Sequence, residues 1–429
     1  MIKIYNRNEI SIQEILKRSE QTVNVEATVT EIINNVKQNG DKALVEYCKK
    51  FDGATDDVLE VTEEEIETAF KSVDAELIAI LEQAKENITA FHSRQVRNSF
   101  LINEKDGVII GQKVLPIEKV GLYVPGGTAS YPSSVLMNCV PAKIAGCREI
   151  VMVTPAKGGN VNPVILAAAK IGGVDRIFKV GGAQAVAALA YGTETVPKVD
   201  KIVGPGNAFV AEAKKQVFGT VDIDMIAGPS EILVVADSSN NPSHIAADML
   251  SQAEHDKMAT AVLITDSEEF AREVCNQLEV QIPLLPRAEI ARCSIDTNGK
   301  IIVTDNLVEA MEVSNILAPE HLEICVDNPF EYLGYVKNAG SVFLGKNCPE
   351  ALGDYFAGPN HTLPTSGTAR FSSPLSVDDF VKKTQFSYFS REALCEVADK
   401  VVRFANEEGL QAHAKSVSIR TEKTDEQIS

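Results

Sequence analysis

Apolar residues in the first hundred positions recur at spacings of three and four, which predicts amphipathic helices. One such stretch covers residues 28–38 and stops at Gly40, a residue that commonly ends helices. The segment Thr62-Glu-Glu-Glu65 has the pattern of a capping box at the start of another helix. We expect a short helical arm over residues 1–22, and we expect His92 at the surface or at a helix end.

From about residue 113 the pattern changes to short apolar runs that alternate with helical stretches. Four consecutive units of this kind predict a mainly parallel sheet with helices on both faces. The alternation then continues, which predicts a second α/β layer completed by the N-terminal helices. The predicted strands are 120–124, 149–153, 176–180, 201–203, 231–236, 260–265, 300–304, 322–326 and 341–344.

These patterns divide the chain into four parts. Residues 1–22 form the N-terminal arm, and 23–119 together with 232–375 form a discontinuous first α/β domain. Residues 120–231 form a second α/β domain inserted into the first. Residues 376–429 form a C-terminal segment, which holds one strong helix and a polar tail and has few of the apolar positions that build a core.

The composition excludes several classes of partner. The 429 residues carry 41 Lys and Arg against 60 Asp and Glu, a net charge of −19, which argues against nucleic acid and anionic membranes. A few local N–H groups can still hold an anionic cofactor. No apolar run approaches the ~20 residues of a membrane helix, and the N-terminus lacks the apolar core of a secretory signal. Eight scattered cysteines without a CxxC motif favour a reducing cytoplasm.

Three predicted strand-to-helix loops place a polar residue beside glycines, at the edge where parallel sheets bind ligands. The third loop is only half of a dinucleotide fingerprint, because Phe209 replaces the last glycine and the acidic residue has two imprecise candidates, Asp222 and Asp224. Each loop alone is equally consistent with ordinary turn glycines, but together the three favour a nucleotide. They are Tyr123 with Gly126-Gly127, Gln184 with Gly181-Gly182, and Asn207 with Gly204-Pro-Gly206.

The stretch 246–255 is predicted to be helical and carries polar residues where a core-facing stripe should be apolar. Gln252 and His255 are one turn apart, so both side chains can reach a single point such as a metal ion. On spacing alone, a helix end whose polar groups bond to the backbone is the favoured alternative. His244 and His361 are expected to have structural or capping roles.

Three further positions combine reactive groups with loops. Glu320 and His321 stand next to each other just before a predicted strand and can serve acid–base chemistry, although a surface pair is the more common explanation. Asp354 is expected in a loop rich in Gly and Pro, where functional carboxylates are often held. Ser230 either caps a turn or contacts a substrate.

Seven motifs, which recur in order over nearly the whole chain, are too many to be independent. Together they closely resemble the histidinol dehydrogenase family, and no departure is seen at its functional positions. The motifs are Gly121-Leu-Tyr-Val-Pro-Gly-Gly127, Val180-Gly-Gly-Ala-Gln-Ala185, Gly204-Pro-Gly-Asn207, Asp224-Met-Ile-Ala-Gly-Pro-Ser-Glu231, Leu250-Ser-Gln-Ala-Glu-His255, Ala318-Pro-Glu-His-Leu322 and Gly353-Asp-Tyr355.

The resemblance implies a fold, an assembly and a site. The fold would be two incomplete Rossmann-like domains with small terminal helical segments, in an intertwined homodimer whose partner chain supplies His413 and Glu408. One zinc ion per subunit and NAD would be bound. The implied residues are Gln252, His255, Asp354 and His413 for zinc; Glu320 and His321 for catalysis; Ser230 and Glu408, beside the zinc ligands and His321, for the substrate; and Tyr123, Gln184 and Asn207 for NAD.

The implied reaction is the four-electron oxidation of L-histidinol to L-histidine through bound L-histidinal with two NAD⁺, the last two steps of histidine biosynthesis. A related dehydrogenase of another amino alcohol or diol, such as a sulfopropanediol, is one alternative, against which Glu408 with His413 argues. A zinc hydrolase is another, against which the three glycine loops argue. A third alternative is a metal-linked dimer without enzymatic activity, but it would give Glu320 and His321 no function.

Overall fold

The computed structural model describes residues 2–18, 24–126 and 131–422. Gly127 of the first predicted NAD loop lies outside the described residues, as do part of the predicted arm and the end of the tail. The chain forms two compact units. The first unit comprises Met1–Val96 and Ile117–Phe380, and the second comprises Arg97–Pro116 and Val381–Ser429.

The strands lie mostly where continuous apolar runs predicted them. The strands in the middle of the two parallel sheets are short and largely buried, as expected for sheets covered on both faces. Over the described ranges the strands are β1 (Lys3–Asn6), β2 (Phe100–Lys105), β3 (Val108–Pro116), β4 (Lys119–Tyr123), β5 (Glu149–Val153), β6 (Arg176–Phe178), β7 (Lys201–Val203), β8 (Asp222–Ile223), β9 (Glu231–Ala236), β10 (Thr260–Thr265), β11 (Lys300–Val303), β12 (His321–Cys325), β13 (Ser341–Leu344) and β14 (Val381–Phe389).

The helices follow the predicted alternation and add several short ones. The capping box at Thr62 and Glu65 is formed, and the first long helix kinks at Gly40, whose φ is 51°. Within the described part of the chain they are α1 (Ile12–Leu16), α2 (Glu26–Tyr47), α3 (Glu63–Ser72), α4 (Ala75–His92), α5 (Pro132–Ala145), α6 (Pro163–Gly172), α7 (Gly182–Tyr191), α8 (Ala208–Val217), α9 (Pro242–Ala253), α10 (Glu268–Gln281), α11 (Ala288–Thr297), α12 (Leu307–Leu317), α13 (Pro329–Leu333), α14 (Glu350–Tyr355), α15 (Arg391–Glu407) and α16 (Gln411–Thr421).

Two parallel sheets organise the first unit, and they share one strand order. The five-stranded sheet runs β6-β5-β4-β7-β8 and the six-stranded sheet runs β1-β11-β10-β9-β12-β13. Counted from its central strand, each has the order 3-2-1-4-5, and the second carries β1 as an additional edge strand. The five-stranded sheet lies between β1 and β9 in the chain, so it is inserted in the sequence of the other. The α/β fold class with parallel sheets is confirmed.

The N-terminal region differs from the sequence expectation in two ways. Residues 3–6 are a strand paired with β11, whereas the whole arm was expected to be helical. Helices α2, α3 and α4 were assigned to the domain of the six-stranded sheet, but they pack on helices α5 to α8 of the five-stranded sheet. Amphipathic periodicity shows that a helix has a buried face, but it does not show which sheet covers that face.

His92 lies at the end of α4, which is one of the two expected positions, and it is fully buried there. Its Nδ1 pairs with Gln95 Oε1 at 2.7 Å, and burial lowers the pKa of the ring. The helix end was predicted, and the burial was not.

The second unit is a small antiparallel sheet, β14-β3-β2, with two helices. Strand β14 pairs with β3 over nine residues, a pairing between distant segments that local pattern did not predict. Helix α16 (Gln411–Thr421) covers the first half of the expected polar tail, and residues 423–429 lie outside the described residues. The long helix was predicted over 394–406 and is observed as α15. Among the described helices, none is long and apolar enough to cross a membrane.

Candidate active site

The predicted reactive residues converge at the amino edge of the six-stranded sheet. Glu231 is the first residue of β9 and His321 is the first residue of β12, and these two strands are neighbours. Helix α9 returns antiparallel to β9, so its last turn brings Gln252 to the same edge. This edge faces the carboxyl edge of the five-stranded sheet, because His361 Nε2 lies 3.3 Å from the Ser134 hydroxyl of α5.

His321 is fixed in one tautomer by a backbone bond. Its Nδ1 lies 2.8 Å from the carbonyl oxygen of Glu231, which can only accept, so Nδ1 carries the proton. Nε2 then presents its lone pair, and it has no hydrogen-bond partner among the described residues. Burial lowers the pKa of the ring. The neutral imidazole is therefore prepared to accept a proton at Nε2.

Glu320 is held by the same residue. The backbone N–H of Glu231 donates to Glu320 Oε2 at 2.8 Å. Burial raises the pKa of Glu320 well above its usual range, and the nearby carboxylates of Glu231, Asp354 and Glu350 raise it further. A carboxyl group with a raised pKa can both donate and accept a proton near neutral pH.

Three buried polar atoms of the site lack hydrogen-bond partners in the part of the chain that is described. They are Gln252 Oε1, His321 Nε2 and Glu350 Oε1. Buried polar atoms without partners cost free energy, so several in one place indicate a group that binds there. All three atoms carry lone pairs. A cation can bind to these lone pairs, whereas a group that only accepts hydrogen bonds cannot.

Asp354 and Glu350 lie one turn apart on α14, and ligand atoms of His321, Glu350 and Asp354 come within 4.8 Å of one another. Burial, followed by the adjacent Glu350, raises the pKa of Asp354 to about 8. Asp354 was expected in a loop because of its Gly- and Pro-rich surroundings, but it lies in the short helix α14.

His255 lies two residues beyond the end of α9 and is exposed, and its N–H donates to Gln252 O at 3.1 Å. It is near enough to His321 and His361 to contribute to the lowering of the pKa of each, behind burial. Ser230 directly precedes β9, is half-buried, and accepts from the N–H of Thr260 at 3.0 Å. Both residues are thus at the amino edge.

Sequence reasoning missed two residues of this edge. His361, which was expected to be structural, donates from Nδ1 to the carbonyl of Asp354 at 3.1 Å, and burial lowers its pKa to about 4. Glu350 was not singled out at all. Residues four apart lie on the same face of a helix. The spacing of Glu350 and Asp354 therefore indicates two neighbouring carboxylates only if 350–355 is known to be helical.

A second buried acidic cluster lies behind the site and supports it. Glu323 Oε1 accepts from the N–H of Glu350 at 2.7 Å, and so fixes the start of α14. Burial and the adjacent Asp248 raise the pKa of Glu323 well above its usual range. Burial likewise raises the pKa of Asp248, to about 6.

The three residues predicted for NAD lie at the carboxyl edge of the five-stranded sheet. Tyr123 ends β4, and its hydroxyl accepts from the N–H of Gly182 at 3.0 Å. Gln184 is buried in the first turn of α7. Asn207 caps α8 by accepting from the N–H groups of Phe209 and Val210, at 3.1 and 3.2 Å.

The loop before Asn207 is fixed by a buried ion pair. Gly204 has a φ of 115°, and a Cβ there would lie 2.1 Å from the carbonyl oxygen of Tyr123, so only glycine fits. Its N–H donates to Asp224 at 2.7 Å, and Lys214 contacts both its carbonyl (3.0 Å) and Asp224. Asp224 is therefore used internally, while Asp222 pairs with Lys201 at 2.9 Å.

The remaining predicted residues belong to the second unit. Glu408 caps the end of α15 and His413 lies in the first turn of α16. Both are exposed.

Comparisons with known proteins identify the family. The family model described as histidinol dehydrogenase matches residues 16–421. The chain is 57% identical over 405 residues to the histidinol dehydrogenase of Clostridium acetobutylicum, covering 94% of each chain. It is 59% identical over 398 residues to that of Syntrophotalea carbinolica, covering 92% of each. The chain belongs to the histidinol dehydrogenase family.

The fold agrees with that of a solved histidinol dehydrogenase. The crystal structure of the enzyme from Elizabethkingia anophelis matches with a TM-score of 0.93 and 40% identity, over 98% of each chain. The resemblance inferred from seven sequence motifs is thereby confirmed. The alternative reading as a zinc hydrolase is not favoured by a family whose relatives are named dehydrogenases.

The amino edge fits the zinc ion that the resemblance to histidinol dehydrogenases implied. Its donors are an amide oxygen, imidazole nitrogens and carboxylate oxygens, a set suited to zinc. The unpartnered Gln252 Oε1 supports the fit independently. A bound cation would also stabilise the ionised form of Asp354, whose pKa is raised by burial and then by its carboxylate neighbour Glu350.

Proposed function

We propose that this protein oxidises L-histidinol to L-histidine in two steps with two NAD⁺, and that its active site is the amino edge of the six-stranded sheet. The observation that carries the proposal is the buried, unpartnered Nε2 of His321, whose other nitrogen donates to Glu231. This nitrogen is the base placed for an alcohol proton.

In the first step, His321 Nε2 takes the hydroxyl proton of histidinol while a hydride leaves its carbinol carbon for NAD⁺, giving the aldehyde. In the second step, Glu320 takes a proton from water as the water attacks the aldehyde, and a second NAD⁺ accepts the second hydride. The low pKa of His321 and the raised pKa of Glu320 suit these two tasks. Burial of both groups excludes other water and protects the reactive aldehyde.

We propose Gln252, His255, Asp354 and His413 as the ligands of one zinc ion per subunit. When bound, the ion supplies orientation and electrostatic stabilisation of the substrate's nitrogen and oxygen atoms. Ser230, Glu408 and the same edge residues would contact the substrate. Tyr123, Gln184 and Asn207 would contact NAD, whose phosphates suit the N-termini of α7 and α8.

The decisive experiment is the number of NADH molecules formed per histidinol consumed, before and after chelation. Two NADH per substrate, lost on chelation and restored by zinc, are expected. One NADH would instead indicate a simple alcohol dehydrogenase acting on another amino alcohol or diol. Absence of NAD binding would overturn the assignment.

We also propose a homodimer in which His413 and Glu408 serve the partner's site. Both are exposed in the second unit, which also leaves several large apolar side chains in water in the lone chain. Among these, Phe404 is 68% exposed and Tyr388 is 57% exposed. Eight free thiols, five of them buried, support the proposed cytoplasmic location.

The dimer can be tested by mixing two inactive variants, His413→Asn and Gln252→Ala. If His413 crosses the interface, a hybrid dimer has one site with both defects and one intact site. Random reassociation would restore about a quarter of wild-type activity. Failure to restore any activity, with hybrids shown to form, would place His413 in its own chain's site.

A further inference from the structure

We propose that Glu231 and Arg18 are positioning residues that hold the catalytic pair Glu320 and His321 in register. This inference rests on the proposed roles of Glu320 and His321. It assigns a function to the N-terminal segment, which sequence analysis had treated as an arm.

The backbone of Glu231 makes a hydrogen bond to each of the two catalytic side chains. Its N–H donates to Glu320 Oε2 at 2.8 Å, and its carbonyl accepts from His321 Nδ1 at 2.8 Å. The position of one peptide segment thus sets the orientation of one carboxyl group and the tautomer of one imidazole. A small displacement of this segment would disturb both groups together.

The side chain of Glu231 is buried, and a buried carboxylate needs partners. Arg18 provides them, because its Nε donates to Oε1 and its terminal nitrogen donates to Oε2 at 3.2 Å. This two-bond geometry fixes the direction of the carboxyl group. Arg18 therefore helps to hold the start of β9, together with the strands β10 and β12 that pair with it.

Arg18 also holds the chain that leads to the catalytic pair. Its terminal nitrogen donates to the carbonyl of Leu317 at 3.0 Å, at the end of α12. The next residue, Ala318, has a φ of 49°, in the left-handed region that a residue with a side chain rarely adopts. Glu320 follows two residues later, so one guanidinium anchors both segments that meet in the site.

Beyond these contacts, Arg18 has no place in the proposed chemistry. The guanidinium bonds to the side chain of Glu231 and to the carbonyl of Leu317, whereas Glu320 and His321 bond to the backbone of Glu231. It acts through Glu231 and not on the substrate. This is why its loss should lower kcat while KM for histidinol and NAD, and the zinc content, stay near wild type.

The test compares Arg18→Ala with Lys17→Ala, its neighbour, whose side chain is 70% exposed. We expect kcat to fall about tenfold or more in R18A and to change less than about twofold in K17A. Arg18→Lys should be more active than R18A but less active than wild type, since an ammonium group cannot make the paired hydrogen bonds that a guanidinium makes to both carboxylate oxygens. Guanidinium ion at millimolar concentration should partly restore R18A and leave K17A unchanged.

A direct readout of position is the tautomer of His321, measured by ¹⁵N NMR on protein labelled at histidine. The His321 signal is assigned by its loss in His321→Asn. In wild type we expect the Nδ1–H tautomer, and in R18A a mixture of tautomers. A merely structural role would lower stability without moving this signal in the folded protein.

If R18A does not fold, Glu231→Gln can be used in its place. We expect the same fall in kcat and the same mixture of His321 tautomers in this variant. The double variant R18A with E231Q should be no slower than the slower single variant, because both break one unit. Wild-type kcat and an unchanged tautomer in R18A would overturn the inference. Glu320→Gln and His321→Asn, measured alongside, separate the two ideas: full activity in those variants would instead overturn the proposed catalytic roles.

Discussion

The two parallel sheets share one strand order, yet their candidate functional residues lie at opposite edges. The five-stranded sheet uses its carboxyl edge, where α7 and α8 begin, as parallel sheets usually do. The six-stranded sheet uses its amino edge, where α9 and α12 end. Helix N-termini favour anions and helix C-termini favour cations. The carboxyl edge of the five-stranded sheet is therefore suited to phosphates, and the amino edge of the six-stranded sheet is suited to a metal ion.

The two edges also differ in how far they satisfy their own polar groups. At the carboxyl edge, Lys214, Asp224, Asn207 and Tyr123 all bond within the protein, although Asn138 Nδ2 is left without a partner among the described residues. At the amino edge, atoms of three candidate side chains lack hydrogen-bond partners within the described part of the chain. We conclude that the carboxyl edge is built as a rigid scaffold and that the amino edge is complete only with its ligands.

His321→Asn tests the amino edge most severely. Asparagine can still donate to the Glu231 carbonyl, but it has no basic nitrogen in place of Nε2. We expect kcat to fall about 10²- to 10⁴-fold. The urea midpoint should not fall, because Nε2 makes no hydrogen bond to any residue that the structure describes. His244→Asn, at an exposed position of α9, is the control for both measurements. A loss of stability without a loss of kcat would reverse our view of this edge.

Lys214→Met tests the carboxyl edge, and stability is the quantity that should change. The variant leaves Asp224 buried without its cation, which typically costs about 3–5 kcal/mol. The free energy of unfolding, measured with urea, should fall by that order. Lys215→Met is the matched control, because the Lys215 side chain is 59% exposed and its loss should change the free energy by less than about 0.5 kcal/mol. Equal effects in the two variants would contradict a scaffold built on this ion pair.

Glu350→Gln asks whether the amino edge is organised around a cation. The substitution keeps the shape of the side chain but removes a negative charge beside Asp354. We expect zinc affinity to weaken about 10- to 100-fold, measured by competition with a chelator of known affinity. Glu331→Gln, on exposed α13, should leave the affinity unchanged. An increase in zinc affinity in E350Q would show that Glu350 opposes the metal and does not support it.

The sequence predicted the parallel sheets well, and the physical reason is local. Strands at 149–153, 231–236, 260–265 and 341–344 have the bounds observed, because a strand buried on both faces must be a continuous apolar run between polar turns. Strand β1 has four residues, none of them buried, and lacks such a run. Strands β2 and β14 are exposed along nearly their whole length, so periodicity could not mark them.

The candidate site was predictable from spacing only where its reactive residues are close together in the sequence. Gln252 and His255 share a turn, and Glu320 and His321 are adjacent, so their proximity could be read directly. Glu231 acts through its backbone, which sequence patterns do not reveal. The likeness to a family supplied the remaining assignments, whereas the contacts between β9 and β12 required the fold.

Asn207→Ala is the mildest test, and it sharpens the comparison within the carboxyl edge. Loss of an N-cap costs about 1 kcal/mol of stability, so the free energy of unfolding should fall by that order. Asn162→Ala is a close control, because Asn162 caps α6 at the same edge by accepting from the N–H of Val164 at 2.9 Å. Both variants should lose similar stability, but only N207A should raise KM for NAD, since Asn207 belongs to the proposed cofactor contacts. If N162A raised KM equally, rigidity of the edge as a whole, and not contact by Asn207, would govern cofactor binding.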